Sequence, residues 1–506
     1  MNAADVLLEP ALSRGWAGRP ALRFRDETVS YAELARNVGR AANALHAAGL
    51  GAGERVLLLV DDSPGFVYAY LGAIKAGGVA VALNVRSTPD DLRVVLDDAR
   101  PRLAIVDWAH RAPFESVARE SSLGVLHARS GSGPACPLRA LIAGQPEPFA
   151  AESTAADSMA FWIYTSGTTG RLKAAVHRHR DVLVAERYPR EVLGVAPGDL
   201  LFSTSRLFFA YALGTVLFGA LRLGACALLD DSWPEPGRVA DLLARERPSV
   251  VFSVPAMYRS LLAAGVVAGE GFGGVRHYVS AGERLPAALY ERWRQATGHQ
   301  ILDGMGSSET IYMLLTNRPE RVAPGSSGMP APGAAVRLAD ASGGAVASGE
   351  PGVLWAKIES CATGYWGRPE DSAAAFRDGW FRTGDLYRID NEGFWHHEGR
   401  ADDMFKVAGQ WVSPSEVEEL ALAEEGVRDA ALVAAADRDG LAHATLFVAG
   451  PSARFERRRL EERVMAAIAG RLASHKWPRR IQFIEAIPRT ATGKIKRYKL
   501  RSLLAE

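Results

Sequence analysis

Through the first four-fifths of the chain, short apolar runs alternate with stretches of helical spacing. That rhythm limits the fold more than any other feature. Residues 55–60 read as strand, 66–76 as helix and 79–83 as strand; later, 249–254 read as strand, 255–263 as helix, 275–280 as strand, 286–297 as helix and 300–303 as the end of a further strand. A βαβ succession demands largely parallel sheets covered by helices. Ligands in such folds gather where loops leave the carboxyl ends of the strands. From 334 to 358 the pattern changes: alternating runs at 335–338 and 353–358 flank the glycine-rich stretch 341–352, which predicts a small antiparallel or barrel-like unit. After Gly399 the charged turn Arg400-Ala401-Asp402-Asp403 opens a last module, with strands at 429–435, 445–449 and 480–485 and an arginine-rich helix at 457–472. The expected fold class is α/β. A large N-terminal domain (1–400) holds stacked, mostly parallel sheets with helices plus the small β-barrel-like unit, and a small mobile α/β lid (401–506) follows.

Composition narrows the partners. At 506 residues the chain is too long for one compact core, and 48% apolar residues supply enough material for more than one. Lys plus Arg (59) nearly cancels Asp plus Glu (58), so neither a nucleic acid nor a membrane surface is expected as a partner. Cys136, Cys226 and Cys361 are scattered, with no metal spacing and no disulfide framework, which fits a reducing, cytoplasmic setting. Asp5 and Glu9 precede any apolar run, unlike a signal peptide. The most apolar stretch, 213–229, is interrupted by Arg222 and reads as buried core, with no membrane span.

Five segments carry candidate chemistry. Phe161-Trp162-Ile163-Tyr164 reads as a buried strand and runs into Thr165-Ser166-Gly167-Thr168-Thr169-Gly170-Arg171-Leu172-Lys173. Two glycines let backbone N–H groups converge on a polyanion, the hydroxyls add donors, and Lys173 adds a point charge. A plain polar turn has the same composition, whereas the Gly-x-x-x-x-Gly-Lys-Ser/Thr spacing of nucleotide kinases is missing. Ser280-Ala281-Gly282-Glu283-Arg284 leaves a strand ahead of Pro286, a first-turn helix residue. Asp303-Gly304-Met305-Gly306-Ser307-Ser308-Glu309-Thr310 is a second glycine-rich exit from a strand. Trp380-Phe381-Arg382-Thr383-Gly384-Asp385-Leu386 places one carboxylate after a Thr-Gly turn, and Pro488-Arg489-Thr490-Ala491-Thr492-Gly493-Lys494-Ile495-Lys496-Arg497 is a basic turn near the end, of a kind often merely solvated.

These segments, in this order over Thr165 to Lys494, resemble the signature motifs of the adenylate-forming superfamily of acyl-CoA synthetases, luciferases and peptide-synthetase adenylation domains. The resemblance covers nearly the whole chain. It implies a two-step ligase that uses ATP, Mg²⁺ and CoA. Residues Thr165, Ser166, Gly167, Thr168, Thr169 and Gly170, with Lys173, would hold the β- and γ-phosphates. Gly282, Glu283, Arg284, Asp303, Gly304 and Met305 would line the adenine pocket, Ser308 would meet the α-phosphate and Glu309 would bind Mg²⁺. Asp385 would accept hydrogen bonds from both ribose hydroxyls, as a two-oxygen acceptor can, and Arg400 would also contact the nucleotide. Lys494 would be the adenylation lysine, Asp402 the hinge of the lid, and Gly409 the glycine that lets the pantetheine arm pass. The chain departs from the usual pattern at Leu172 (proline), Ala174 (glycine) and Met305 (often aromatic).

Two further segments, Arg206-Leu207-Phe208-Phe209-Ala210-Tyr211-Ala212-Leu213-Gly214 and Glu309-Thr310-Ile311-Tyr312 through Pro319, resemble the benzoate–CoA ligase branch. An apolar strand-to-helix junction has a similar look. The resemblance implies an aromatic carboxylic acid as substrate, in a pocket lined by Phe209, Ala210, Tyr211, Gly306 and Tyr312. Tyr312 stands where histidine is usual, so it either shortens the pocket or pairs with a polar ring substituent. A free-standing enzyme that loads an aryl group on a carrier-protein thiol shares the first half-reaction; the lack of a fused carrier domain favours CoA. A homodimer is one assembly open to such a chain.

Overall fold

The computed structural model describes residues 1–118, 124–128, 142–147, 149–166, 172–340, 343–347, 349–407, 410–436, 442–489 and 495–504. The chain forms two compact units. One comprises Met1–Leu285, Leu289–Val336 and Ala356–Arg382; the other comprises Pro286–Ala288, Arg337–Trp355 and Thr383–Glu506.

The first unit holds two large sheets. In the nine-stranded sheet, Pro20–Phe24, Cys226–Leu229, Leu200–Ser203, Val250–Ser253, His277–Ser280 and Ile301–Ser307 lie side by side and parallel, with antiparallel partners added at both edges. In the six-stranded sheet the order is Gly124–Ala128, Leu103–Asp107, Arg55–Leu59, Val79–Ala82, Met159–Ser166 and Leu172–Arg178, parallel except for the last pair. Strands such as Val79–Ala82 and Val250–Ser253 are buried along their whole length, which is why they read as continuous apolar runs rather than alternating ones. The helix Pro64–Lys75 is apolar all round and buries ten of its residues, as a helix enclosed by other elements must. Ser63 caps it by accepting from Phe66 N–H at 3.2 Å. One core cluster draws on both sheets, through Leu58, Ala80 and Phe161 on one side and Leu22, Leu201 and Phe252 on the other.

The alternation expected from sequence is present, with element ends moved by a residue or two at Arg55–Leu59, Pro64–Lys75, His277–Ser280 and Ala287–Thr297. Two expectations need adjustment. The strand expected to end at 303 runs on through the glycine-rich segment to Ser307 and pairs antiparallel with Tyr312–Thr316. Glycine permits this: a Cβ on Gly306 would lie 2.6 Å from the Tyr312 carbonyl oxygen, so only glycine lets the two strands approach so closely. The apolar stretch 213–229 is core, but built as a π-helical turn (Leu213–Phe218), a short helix (Gly219–Leu223) and a strand (Cys226–Leu229). No helix among the described residues is long and apolar enough to cross a membrane.

Strands Ala335–Ala339, Gly352–Lys357, Phe376–Arg377, Trp380–Ile389 and Trp395–Arg400 belong to one five-stranded sheet, whose residues are divided between the two units. The C-terminal module pairs Asp429–Ala436 antiparallel with Ala442–Ala449, which pairs parallel with Arg480–Ile484. Its helix spans Arg454–Ala469 and stops at Gly470, three residues earlier than expected. Val412, Val417, Leu432, Leu446, Leu460 and Val464 form its core.

Candidate active site

The phosphate-loop candidate joins the two strands of a hairpin, Met159–Ser166 and Leu172–Arg178, with Thr165 opposite Lys173 in register. Residues Gly167, Thr168, Thr169, Gly170 and Arg171 and the Ser166 side chain lie outside the described residues. Lys173 Nζ lies 2.9 Å from Asp371 Oδ1 and 5.1 Å from the centre of the Tyr365 ring. The returning strand reaches the next candidate segment directly, because His177 Nε2 donates to the Ser308 carbonyl at 2.8 Å and His177 Nδ1 lies 3.3 Å from Asp181.

Gly282 follows the strand His277–Ser280 with φ +92°, a conformation glycine adopts without strain, and leads into Glu283 and Arg284. Asp303 lies opposite Ser280, where the parallel pairing of the neighbouring strand Ile301–Ser307 ends. Its side chain is 3% exposed, and Oδ1 has no hydrogen-bond partner among the described residues. Burial pushes this carboxyl up to about 8, against the downward pull of the Leu285 and Gly304 N–H groups and the Arg284 guanidinium. Met305 is partly buried against the core.

Glu309 sits in the turn beyond Ser307 and is 9% exposed. The Tyr365 hydroxyl donates to Glu309 Oε1 at 2.8 Å. The backbone of the turn is held as well: Ala362 N–H donates to the Glu309 carbonyl at 2.7 Å, and Ser360 Oγ donates to the Thr310 carbonyl at 2.6 Å. Ile311 has φ +46°, a left-handed conformation that a β-branched residue adopts only under constraint. One carboxylate with an oxygen that has no partner among the described residues, held by a tyrosine whose ring also faces Lys173, suits Mg²⁺, which is commonly held by one or two carboxylates together with substrate phosphates.

The proposed acid-pocket segment begins from a network of buried charges. Asp62 is 5% exposed and accepts from Leu207 N–H with both oxygens, at 3.2 and 3.0 Å. Arg206, equally buried, donates to the carbonyls of Asp230, Asp231 and Ser232 and to Asp61 Oδ1. Burial raises the Asp62 carboxyl to about 6, with Arg206 opposing. Asp61 and Asp62 follow a strand of one sheet, while Arg206 and Asp230–Ser232 follow strands of the other, so this network ties the carboxyl ends of both sheets together. Phe209, Ala210 and Tyr211 come next. Phe208 and Phe209 pack with ring centres 4.3 Å apart, and the Tyr211 ring meets Phe252 edge-on at 5.9 Å. The Tyr211 hydroxyl is buried with no partner among the described residues, and burial holds its pKa well above the usual phenol value. Tyr312 is also buried, and its hydroxyl donates to the Pro332 carbonyl at 3.2 Å.

In the second unit, Arg400 Nη1 donates to Asp385 Oδ1 at 3.0 Å and to the Thr383 carbonyl at 2.9 Å, and Arg400 Nη2 lies 3.9 Å from Asp402. Gly384 has φ +76°, and a Cβ there would lie 2.8 Å from Arg400 Nη2, so glycine makes room for the guanidinium. Gly409 and Lys494 lie outside the described residues. The flanks of the lysine segment are anchored: Arg489 pairs with Asp429 through two 2.8 Å contacts, Lys496 N–H donates to the Pro488 carbonyl, and Arg497 bridges Asp403 and Glu418. Sequence reasoning passed over Tyr365, His177, Asp371 and Asp62, and gave Arg206 no role within the segment it opens. Their partners lie far away along the chain, and no local spacing links Tyr365 to Glu309.

Comparison with known proteins gives the same grouping. The family model described as "AMP-binding enzyme" matches residues 11–366, and that for its C-terminal domain matches 416–494. The chain is 44% identical to a 3-hydroxybenzoate–CoA ligase of Aromatoleum sp. (strain CIB), over 100% of this chain and 97% of the relative. It is 42% identical to a 3-hydroxybenzoate–CoA/4-hydroxybenzoate–CoA ligase of Thauera aromatica, over the same shares. The crystal structure of a benzoate CoA ligase from Burkholderia xenovorans LB400 superposes with a TM-score of 0.88 at 35% identity, covering 99% of this chain and 100% of that one. With its order of motifs and its fold matched along the whole length, the chain belongs to the AMP-binding, adenylate-forming enzyme family.

Proposed function

We propose that the protein is an ATP-dependent aryl-acid–CoA ligase, AMP-forming, whose acid is a hydroxybenzoate. The observation that carries this reading is the whole-length identity to the two hydroxybenzoate–CoA ligases. The buried Tyr211 hydroxyl in the candidate acid pocket, without a partner among the described residues, supports a substrate with a polar ring substituent.

In this reading a carboxylate oxygen of the acid attacks the α-phosphorus of ATP and pyrophosphate leaves; the CoA thiol then attacks the acyl-adenylate and AMP leaves. Thr165 to Gly170 and Lys173 hold the outgoing phosphates, and Ser308 meets the α-phosphate. Asp303 Oδ1, buried and without a partner among the described residues, suits the adenine end together with Gly282, Glu283, Arg284, Gly304 and Met305. Asp385, steadied by Arg400, takes the ribose hydroxyls. Mg²⁺, held by Glu309, would neutralise charge on the triphosphate. Lys494 stabilises negative charge as it moves between carboxylate and α-phosphate. We assign residues 401–506 to a lid that pivots at Asp402 between the half-reactions and brings up Gly409 beside the pantetheine arm, on a body formed by residues 1–400. The setting is the cytoplasm.

The test is a pyrophosphate-release assay over benzoate and its 2-, 3- and 4-hydroxy derivatives, with CoA or a carrier protein as thiol. The reading expects 3-hydroxybenzoate and CoA to give the highest kcat/KM. Preference for a carrier-protein thiol, or for aliphatic acids, would overturn it.

A further inference from the structure

Tyr365 touches both charged groups assigned above to the triphosphate end of the site. Its hydroxyl donates to Glu309 Oε1 at 2.8 Å, and its ring face lies 5.1 Å from Lys173 Nζ. We propose that Tyr365 is a positioning residue for the metal: its hydroxyl fixes the Glu309 carboxylate by one oxygen and leaves Oε2 for the cation. This rests on the reading of Glu309 as the Mg²⁺ ligand.

Three observations support the assignment. First, the terminal torsion of a glutamate is soft, so a carboxylate that must meet a metal in a near-octahedral site gains from an outer partner that sets its orientation. A tyrosine does so without a charge of its own, so the carboxylate keeps its attraction for a cation. Lys173 leaves the carboxylate free as well, because its partner is Asp371 at 2.9 Å.

Second, Tyr365 is itself fixed. Its N–H donates to Ser372 Oγ at 2.9 Å, its ring meets Phe376 edge-on at 5.4 Å, and its backbone bridges Ala175 in the strand that follows the phosphate loop. A rigid donor orients its partner better than a mobile one.

Third, the backbone of the Glu309 turn does not depend on this hydroxyl. The strained conformation at Ile311 is held by Ser360 on Thr310, Ala362 on Glu309 and His177 on Ser308. Removing the Tyr365 hydroxyl therefore leaves the turn in place and releases only the side chain of Glu309.

The test is titration of Mn²⁺, followed by electron paramagnetic resonance, into the protein saturated with α,β-methylene-ATP. It compares the wild type with Tyr365→Phe, Glu309→Gln and Ser360→Ala; melting temperature serves as the fold control. Tyr365→Phe keeps the ring and its contact with Lys173. It should weaken Mn²⁺ binding by about tenfold, raise the Mg²⁺ concentration needed for half-maximal pyrophosphate release in proportion, and leave KM for the aryl acid unchanged. Glu309→Gln should weaken binding at least as much, and Ser360→Ala, with Ala362 and His177 still holding the turn, should weaken it less than Tyr365→Phe. If Glu309→Gln loses the metal and Tyr365→Phe does not, the positioning role is wrong and the metal assignment stands. If Tyr365→Phe and Ser360→Ala lose it equally, Tyr365 acts through the turn and the proposal fails. If none of the three alters Mn²⁺ affinity, Glu309 is no metal ligand and both readings fall.

Discussion

The Tyr312 hydroxyl donates to the Pro332 carbonyl at 3.2 Å, which engages the proton with which this side chain could have donated to a ring substituent and leaves only its acceptor capacity. Of the two roles open to Tyr312, bulk is therefore the better supported. Tyr312→Phe should leave the ranking of substituted benzoates unchanged, and Tyr312→Ala should admit longer para-substituted acids. A kcat/KM panel over para-alkyl benzoates checks both.

The Tyr211 hydroxyl is the complementary case, buried and without a partner among the described residues. If the substrate's hydroxyl satisfies it, Tyr211→Phe should lower kcat/KM for 3-hydroxybenzoate by about 1–3 kcal/mol while sparing benzoate. Equal losses for both acids would assign Tyr211 to packing alone.

Lys494 is expected to act in one half-reaction only. Lys494→Ala should depress adenylate formation by about 10²–10³, or about 3–4 kcal/mol, and preserve thioester formation from a supplied aryl-adenylate. Rapid-quench measurement of each half-reaction separates the two; equal loss in both contradicts the division.

Asp402 lies 3.9 Å from Arg400 Nη2, and its neighbour Asp403 pairs with Arg497 just past the lysine segment. Proline fixes φ near −65°. Asp402→Pro should thus block lid rotation, so that pyrophosphate release persists while thioester formation falls. Wild-type turnover with CoA would remove Asp402 as the pivot.

Burial raises two carboxyls, Asp62 to about 6 and Asp303 to about 8, from an ordinary 3.8. Each is more readily protonated in the folded chain than in the unfolded one. Their contribution to stability is therefore fully present below about pH 4 and is lost as pH rises through about 6 for Asp62 and about 8 for Asp303. Asp303→Asn should flatten the fall in unfolding free energy between pH 6 and 9, measured by urea titration; an unchanged slope would place the Asp303 carboxyl in its ordinary range.

What the sequence revealed was local. Buried strands such as Val79–Ala82 and Val250–Ser253 announce themselves as apolar runs, and the order of motifs from Thr165 to Lys494 marks the candidate nucleotide residues. The continuation of the strand Ile301–Ser307 through Gly304 and Gly306 was hidden, because a glycine that permits close strand approach looks like a glycine in a loop. The Tyr365–Glu309 hydrogen bond, the Asp62–Leu207 clamp and the Tyr312–Pro332 contact join residues distant in the chain, and no periodicity records such pairs.

The central intermediate is an acyl-adenylate formed from an aryl acid, and the fate of the carboxylate oxygens tests it most directly. Incubation of the protein with ATP, Mg²⁺, CoA and 3-hydroxybenzoate labelled with ¹⁸O in both carboxyl oxygens, followed by mass spectrometry of nucleotide and thioester, should find one ¹⁸O in AMP and the other in 3-hydroxybenzoyl-CoA. Release of ADP with label in orthophosphate, or thioester formation with unlabelled AMP, would contradict it.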